Sequence, residues 1–424
     1  MKILLLVTND IINDSRVKRV ASSLASFGAD LTVFARRSEY APDEETCGGY
    51  RIRRVIGPYY KKKRKKSNLD KVPVLSWFFE ARKKIDKYKI NISGFKIKFK
   101  KINDNDYNGM FEINKEAEKK HIEEVLENNK IFVMEALKVK PDVVYCNDLD
   151  TLISGVELKN KTGCRVIYDA HELFSEQFTN KSDEWKEYFF ELEKTLIGFA
   201  DGVITVNESI GKELVKRYNI KDYTVVANCA RYKSINLRPS KKEKTILYHG
   251  RFEINRGIEE LVEAMRYIEG AKLILRGDGF IKDRLADIIK EHKLDKKVIF
   301  KNMLPVDKVI EESAKADIGV IAYVPNCLNN YFCTPNKLFE YIMAGLAVCG
   351  SDLPELNNYI IGGGIGEVFD PRKPRSIADS INKILGNENI LKRCRDNVRV
   401  LAKEKINWEI QEKKLKEILM LGDI

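Results

Sequence analysis

The sequence predicts an α/β protein made of two open parallel-sheet domains that face each other across a cleft. Three observations predict it. The chain has 424 residues, too many for one ordinary core when a domain usually takes about 100–200. Short apolar runs alternate with amphipathic helical stretches from end to end, the pattern of βα units and parallel sheets. A polar stretch at 229–243 interrupts that alternation, which then begins again.

In the first half, strands are expected at 2–8, 30–35, 142–146, 164–168 and 202–206. Helices are expected near 14–28, 112–139, 149–162, 182–199 and 208–218. Asp14 or Ser15 suits the cap of the first helix, because a short oxygen-bearing side chain accepts from first-turn N–H groups. The second half reads as strands at 244–249, 271–276, 297–300, 317–323 and 346–350. Helices at 257–267, 281–292, 306–314 and 335–344 lie between them, and a further helix at 374–386 leads into helices that run to the end. The expected domains are therefore 1–230 and 231–402, both Rossmann-like. Residues 403–424, with Trp408, form a C-terminal helix expected to return to the first domain. Ligands of such sheets bind beyond the carboxyl ends of strands, so function is expected in the loops that follow them.

With 44% hydrophobic and 33% charged residues, the chain reads as a soluble globular protein. Five apolar residues, Ile3 to Val7, are too few for the ~7–15 of a signal h-region. No run reaches the ~18–20 of a membrane span. The eight cysteines are scattered without a C-x-x-C pair, which fits reduced thiols and a cytoplasmic setting. The formal charge is +12, and residues 59–101 hold sixteen Lys/Arg against three Asp/Glu, so one insertion carries the whole excess.

Three segments of the second half carry chemistry. His249-Gly250-Arg251 ends a strand, and Arg256-Gly257 opens the next helix. Guanidinium forks suit phosphate oxygens, and helix N-termini attract anions. The same segment also reads as a surface loop with two solvated arginines. Gly277-Asp278-Gly279 follows a strand, where a tight turn alone calls for glycine. In Thr334-Pro335-Asn336-Lys337-Leu338-Phe339-Glu340, Thr334 suits an N-cap and Pro335 the first helical position. Exposed N–H groups there form an anion site, and Glu340 stands about one and a half turns on. An ordinary capped helix with a solvated Glu is the plain alternative.

Taken in order, Gly250-Arg251…Arg256-Gly257, Gly277-Asp278-Gly279 and Pro335-Asn336-Lys337-Leu338-Phe339-Glu340-Tyr341, followed by Ser351-Asp352-Leu353-Pro354-Glu355, resemble the retaining family-four glycosyltransferases of the GT-B fold. The likeness covers most of the chain and is weakest in the insertion at 59–110. It implies a nucleoside diphosphate sugar as donor and co-substrate, with Arg251 and Arg256 on its diphosphate. Backbone groups from Thr334 through Pro335 and Asn336 to Lys337 would join them, and Glu340 would hold the ribose. Two positions depart from the family pattern. Arg256 replaces the usual Lys, which keeps the charge. Phe332 stands where a second Glu is common; Asn329 or Asn330 is near enough to substitute.

In the first half, His171 follows a strand end. Alone it reads as a half-buried His that orders its own loop; the likeness implies that it faces the donor sugar. Asp169 and Glu172 read as structural. Asp148 follows another strand and reads first as a helix cap, with an acceptor-side role as the second reading. Asp14-Ser15-Arg16 resembles the acceptor-facing loop of these enzymes without its usual Gly-Gly.

The basic insertion, Tyr59 to Lys101, interleaves Lys and Arg with Trp77, Phe78 and Phe79. A solvated charge run is the plain reading, and docking on an anionic membrane is the functional one. Nucleic acid is not expected, since no nucleic-acid motif accompanies the patch. The expected reaction is transfer of a hexose-type sugar to a saccharide or lipid-linked acceptor, with retention. No Asp-x-Asp metal motif is assigned at the cleft, so a metal-independent site is expected. A sugar-nucleotide epimerase and a non-catalytic nucleotide-sugar binder are the alternatives on this fold. A nicotinamide-dependent oxidoreductase is a third alternative, against which stands that no G-x-G-x-x-G follows a strand.

Overall fold

A computed structural model describes residues 1–57, 114–177, 180–235 and 243–420. The basic insertion at 59–110 lies outside the described residues, and so does the membrane surface assigned to 59–101. The chain forms two compact units. Met1–Ile204 and Arg217–Tyr223 make the first; Thr205–Lys216 and Thr224–Met420 make the second.

The first sheet contains β1 (Lys2–Leu6), β2 (Asp30–Arg36), β3 (Glu44–Cys47), β4 (Tyr50–Ile56), β5 (Val143–Asn147), β6 (Arg165–Ala170), β7 (Gly202–Thr205) and β8 (Thr224–Val225). Their order is β3-β4-β2-β1-β5-β6-β7-β8. β1 pairs in parallel with both β2 and β5. The chain thus runs outward from β1 on one side and returns to β5 on the other, which makes β1/β5 a topological switch point. Ile3 to Leu6 are all buried, as expected of a parallel strand covered on both faces. Of the two expected caps for the helix Ser15–Ser26, Asp14 is used: its Oδ1 accepts from Val17 N at 2.9 Å. The β3–β4 hairpin at the sheet edge is antiparallel. Arg51 is exposed while Tyr50 and Ile52 are buried, the period-two pattern of a strand.

The second sheet contains β9 (Lys244–His249), β10 (Ala271–Arg276), β11 (Val298–Lys301), β12 (Ile318–Ile321), β13 (Ala347–Ser351) and β14 (Gly366–Phe369). Its order is β11-β10-β9-β12-β13-β14, and every pair is parallel. The switch point here is β9/β12. One face packs around Tyr248, Phe252, Leu261 and Leu273, the other around Leu338, Phe339, Tyr341 and Leu356.

The C-terminal residues form two separate helices, Glu388–Glu404 and Trp408–Ile418. Trp408 is fully buried, worth a few kcal/mol for so large a ring. The Trp408 backbone N–H donates to Ala230 O at 2.9 Å. Ala227 N donates to Gln411 Oε1 at 3.0 Å, and Lys414 Nζ to Val225 O at 3.0 Å. Among the described residues no helix is long and apolar enough to cross a membrane.

Candidate functional site

In the second unit, three strand-end loops meet beside the switch point. Gly250 N donates to Arg276 O at 3.0 Å, and Phe252 N to Asp278 O at 2.9 Å, so the loops after β9 and β10 run side by side. A Cβ on Gly277 would stand 1.9 Å from Gly250 O, and one on Gly279 2.6 Å from Phe252 O. The two glycines let one backbone lie against the other. Between them, Asp278 accepts from Gly279 N at 2.9 Å and lies 3.4 Å from Lys282 Nζ.

Cations gather around this junction. Arg251 Nε lies 2.7 Å from Glu253 Oε1, and Arg256 Nη2 lies 3.6 Å from Glu253 Oε2. One carboxylate therefore bridges both guanidiniums. The Arg256 guanidinium stands 4.1 Å from the centre of the Tyr323 ring. The Lys337 ammonium stands 3.9 Å from the centre of Tyr248 and 5.4 Å from that of Tyr323. The two cations thus share one aromatic face group, an attraction that grows as water is excluded. Burial, and then the nearby Arg256, push the Lys337 amine down to about 7. A Cβ on Gly250 would come 3.4 Å from Lys337 Nζ, which puts the ammonium beside the strand-end backbone.

The helix Asn336–Ala344 delivers Lys337. Its start differs from expectation by one residue: Pro335 takes the cap position, and no side chain caps the helix. Thr334 is drawn away because its Oγ1 accepts from Asn207 Nδ2 at 3.2 Å; the same amide donates to Phe332 O at 2.8 Å. Asn336 Oδ1 accepts from Asn228 Nδ2 at 2.5 Å. Glu340 lies on the Lys337 face, three residues on. Its Oε2 is 3.2 Å from His249 Nε2. Burial, and then Lys337 and Arg276, push His249 down to about 3, so its ring is neutral at pH 7. One residue on, Tyr341 Oη accepts from His249 N at 3.2 Å and donates to Leu247 O at 3.2 Å. Near Phe332, Asn329 is buried, and Asn330 Nδ2 donates to Asn326 Oδ1 at 2.6 Å.

In the first unit a second charged cluster sits at the carboxyl ends of β1, β5 and β6. Arg16 grips Asp169 through Nε to Oδ2 at 3.1 Å and Nη2 to Oδ1 at 2.7 Å. Tyr145 Oη donates to Asp169 Oδ2 at 2.6 Å. His171 Nε2 is 3.0 Å from Asp169 Oδ2, and its Nδ1 is 3.2 Å from Asp148 Oδ2. Asp148 Oδ1 also accepts from the His171 backbone N–H at 3.1 Å. Burial opposes a charge on the ring. Asp148 and Asp169 outweigh it and hold the imidazolium up to about 10. Asp169 titrates below the ordinary carboxylate range: burial opposes this, and Arg16 and His171 prevail.

Asp148 does not cap its helix, contrary to the simplest reading of the sequence; its carboxylate turns to His171 instead. Its backbone has φ +66° and ψ 167°, a region that glycine alone enters freely and that costs on the order of 1–3 kcal/mol. Asp148-Leu149-Asp150 has Asp-x-Asp spacing. The two side chains part: Asp150 Oδ2 accepts from Thr8 Oγ1 at 2.5 Å. Among the described residues no three His, Cys, Asp or Glu side chains group as a metal site.

Both halves match known families. Residues 121–230 match the model described as Glycosyltransferase Family 4, and residues 233–401 match Glycosyl transferases group 1. Together they span about two thirds of the chain and hold Asp148, His171 and the whole arginine–lysine junction. The chain belongs to the family-four glycosyltransferases.

An uncharacterised glycosyltransferase of Methanocaldococcus jannaschii is 26% identical over 64% of this glycosyltransferase and 73% of its own length. The glycogen synthase of Mycobacterium tuberculosis is 21% identical over 64% of this chain and 66% of its own. Among solved structures, sucrose-phosphate synthase from Thermosynechococcus elongatus superposes with a TM-score of 0.71 at 18% identity, covering 99% of this chain and 98% of the other. HepE of Anabaena, in complex with UDP and glucose, gives 0.64 at 13% identity over 99% of each chain. These likenesses establish the GT-B fold.

The structure of the glycosyltransferase therefore brings Gly250, Arg251, Arg256, Gly277, Gly279, Lys337 and Glu340 to one end of the second sheet. It places His171 in the separate cluster of the first unit. Sequence reasoning passed over His249, Glu253 and Tyr323. Two of these had a visible signal: His249 and Tyr323 stand at or just after the carboxyl ends of the two switch-point strands, where ligands of parallel sheets are met.

Proposed function

We propose that the protein transfers a hexose-type sugar from a nucleoside diphosphate sugar to a saccharide or lipid-linked acceptor, with retention of configuration and without a metal ion. The observation that carries this reading is the convergence of Arg251, Arg256 and Lys337 on Glu253 and Tyr323, beside an uncapped helix start. Departure of a diphosphate needs preorganised positive potential where charge develops, and such donors are each worth about 3 kcal/mol. The cations supply that potential, and Glu340, next to His249, takes the ribose hydroxyls. His171, held charged, serves the transferred sugar. The solved relative HepE was captured with UDP and glucose, which supports a nucleoside diphosphate sugar as the donor class.

A thermal-shift screen against UDP, GDP, ADP and their sugars, followed by incubation with the labelled donor and saccharide acceptors, tests the reading. Stabilisation by one nucleotide and label transfer only when acceptor is present are expected. Conversion of the donor sugar without acceptor would indicate an epimerase. Saturable binding without turnover would indicate a binder.

A further inference from the structure

We propose that Asp148 is a positioning residue for His171, fixing its main chain and its ring with Nδ1 turned to Asp148 and Nε2 inward to Asp169. This rests on the glycosyltransferase reading above. Three observations support it.

First, the grip has two points. Asp148 Oδ1 accepts from the His171 N–H at 3.1 Å, and Oδ2 lies 3.2 Å from Nδ1 of the same residue. One carboxylate thus holds both the main chain and the ring. Second, Asp169 does not do the same. Its Oδ2 is 3.0 Å from Nε2, yet that nitrogen is buried without an aligned hydrogen-bond partner. Asp169 is already committed to Arg16 and Tyr145, so it balances charge and leaves the ring's orientation to Asp148. Third, the backbone at Asp148 occupies a conformation natural to glycine. Asp148 N donates to Asp169 O at 3.0 Å, which ties the two strand ends together. A glycine would keep that backbone and lose only the carboxylate. Strain of this kind collects at functional sites, and here the strained residue is the one that touches His171 twice.

The charged groups around the ring are Asp148, Asp169, Arg16 and Asp150. Arg16 opposes the charge on His171, and the carboxylates of Asp148 and Asp169 favour it. Removing the Asp148 charge while keeping its shape should therefore lower the pH at which His171 loses its proton, by about two units for an opposite charge this near.

The test is a histidine-labelled NMR titration of the full-length protein. The chain has four histidines, and a His171→Gln spectrum identifies the signal. The wild-type ring should stay charged through pH 9, while Asp148→Asn should lose its proton about two units lower. Asp148→Gly, checked for a cooperative melt, serves if the Asn variant fails to fold. In the transfer assay both variants should lose about a hundredfold in kcat, as expected for a misplaced catalytic group, at unchanged donor KM. A titration that does not move overturns the inference, and so does a shifted titration with unchanged kcat. If wild-type protein transfers no sugar from any nucleotide donor, the proposed function falls instead, while the titration still decides whether Asp148 holds the ring.

Discussion

Arg16 and Asp169 are joined by two hydrogen bonds between fully buried side chains, with relative exposures of 3% and 0%. A pair so placed adds little over an apolar pair, but it is expensive to break because the survivor is a bare charge. Arg16→Met should destabilise the first unit by about 3–5 kcal/mol in urea unfolding. Adding Asp169→Asn should recover part of that loss, since the buried carboxylate that lost its guanidinium is then neutral. A single variant that unfolds like wild type would refute the pairing as a structural element.

The stability of the protein should be nearly flat between pH 7 and 10 because two groups oppose each other there. His171 is held up to about 10, above its ordinary 6.5, so the folded state keeps a proton that the unfolded chain releases. Its contribution is complete below pH 6.5 and fades as pH rises toward 10. Lys337 is pushed down to about 7, so over the same range the unfolded chain holds the extra proton and stability rises with pH. Each slope is at most about 1.4 kcal/mol per pH unit. Lys337→Met should expose the fall and His171→Gln the rise, read from urea midpoints at pH 7, 8.5 and 10. Identical pH profiles in both variants would count against the assignment.

Gly277→Ala should lower both stability and nucleotide binding. The added methyl would meet Gly250 O at 1.9 Å and Phe252 Cε1 at 2.9 Å, and the first of these is backbone, which cannot rotate away. A cost of about 1–3 kcal/mol is expected from overpacking. The displaced segment is the one that carries Arg251, so thermal shift by the cognate nucleoside diphosphate should shrink as well. Normal melting and a full ligand shift would show that the two loops are not in register.

Glu253 competes for the guanidiniums that the proposed site offers to a diphosphate. Glu253→Gln should tighten inorganic pyrophosphate binding by about two- to fivefold at low salt, the size of an exposed ion pair. The gain should vanish at high salt. Glu340→Gln should instead weaken nucleoside diphosphate binding and leave pyrophosphate unchanged, because only the former carries a ribose. Calorimetric titration of both ligands into both variants checks the pair.

Much of this arrangement was legible in the chain. Helix 208–218 was placed to the residue, because an amphipathic period and clear boundaries mark it. Strand β14 and the β3–β4 hairpin were not seen. The first has only four residues, and the second alternates arginines with apolar residues near a strongly basic insertion. In the site, Arg251, Arg256, Lys337 and Glu340 were visible as types at strand ends and a helix start. The roles of Asp148 and Glu253 were hidden, since an Asp before a helix reads as a cap and a Glu near two Arg as solvated charge. Only the folded backbone, with Asp148 in its unusual conformation, turns the first of these toward His171.

The Tyr341 hydroxyl joins the amide of His249 to the carbonyl of Leu247 just where β9 and β12 stop pairing. The helix that carries Lys337 and Glu340 is thereby bolted to the middle strand of its sheet. Any pull that an anion exerts on that helix is passed directly to β9. The His249 amide should thus exchange with deuterium more slowly when the anion is bound, so that one proton buried in the sheet keeps time for events at its rim.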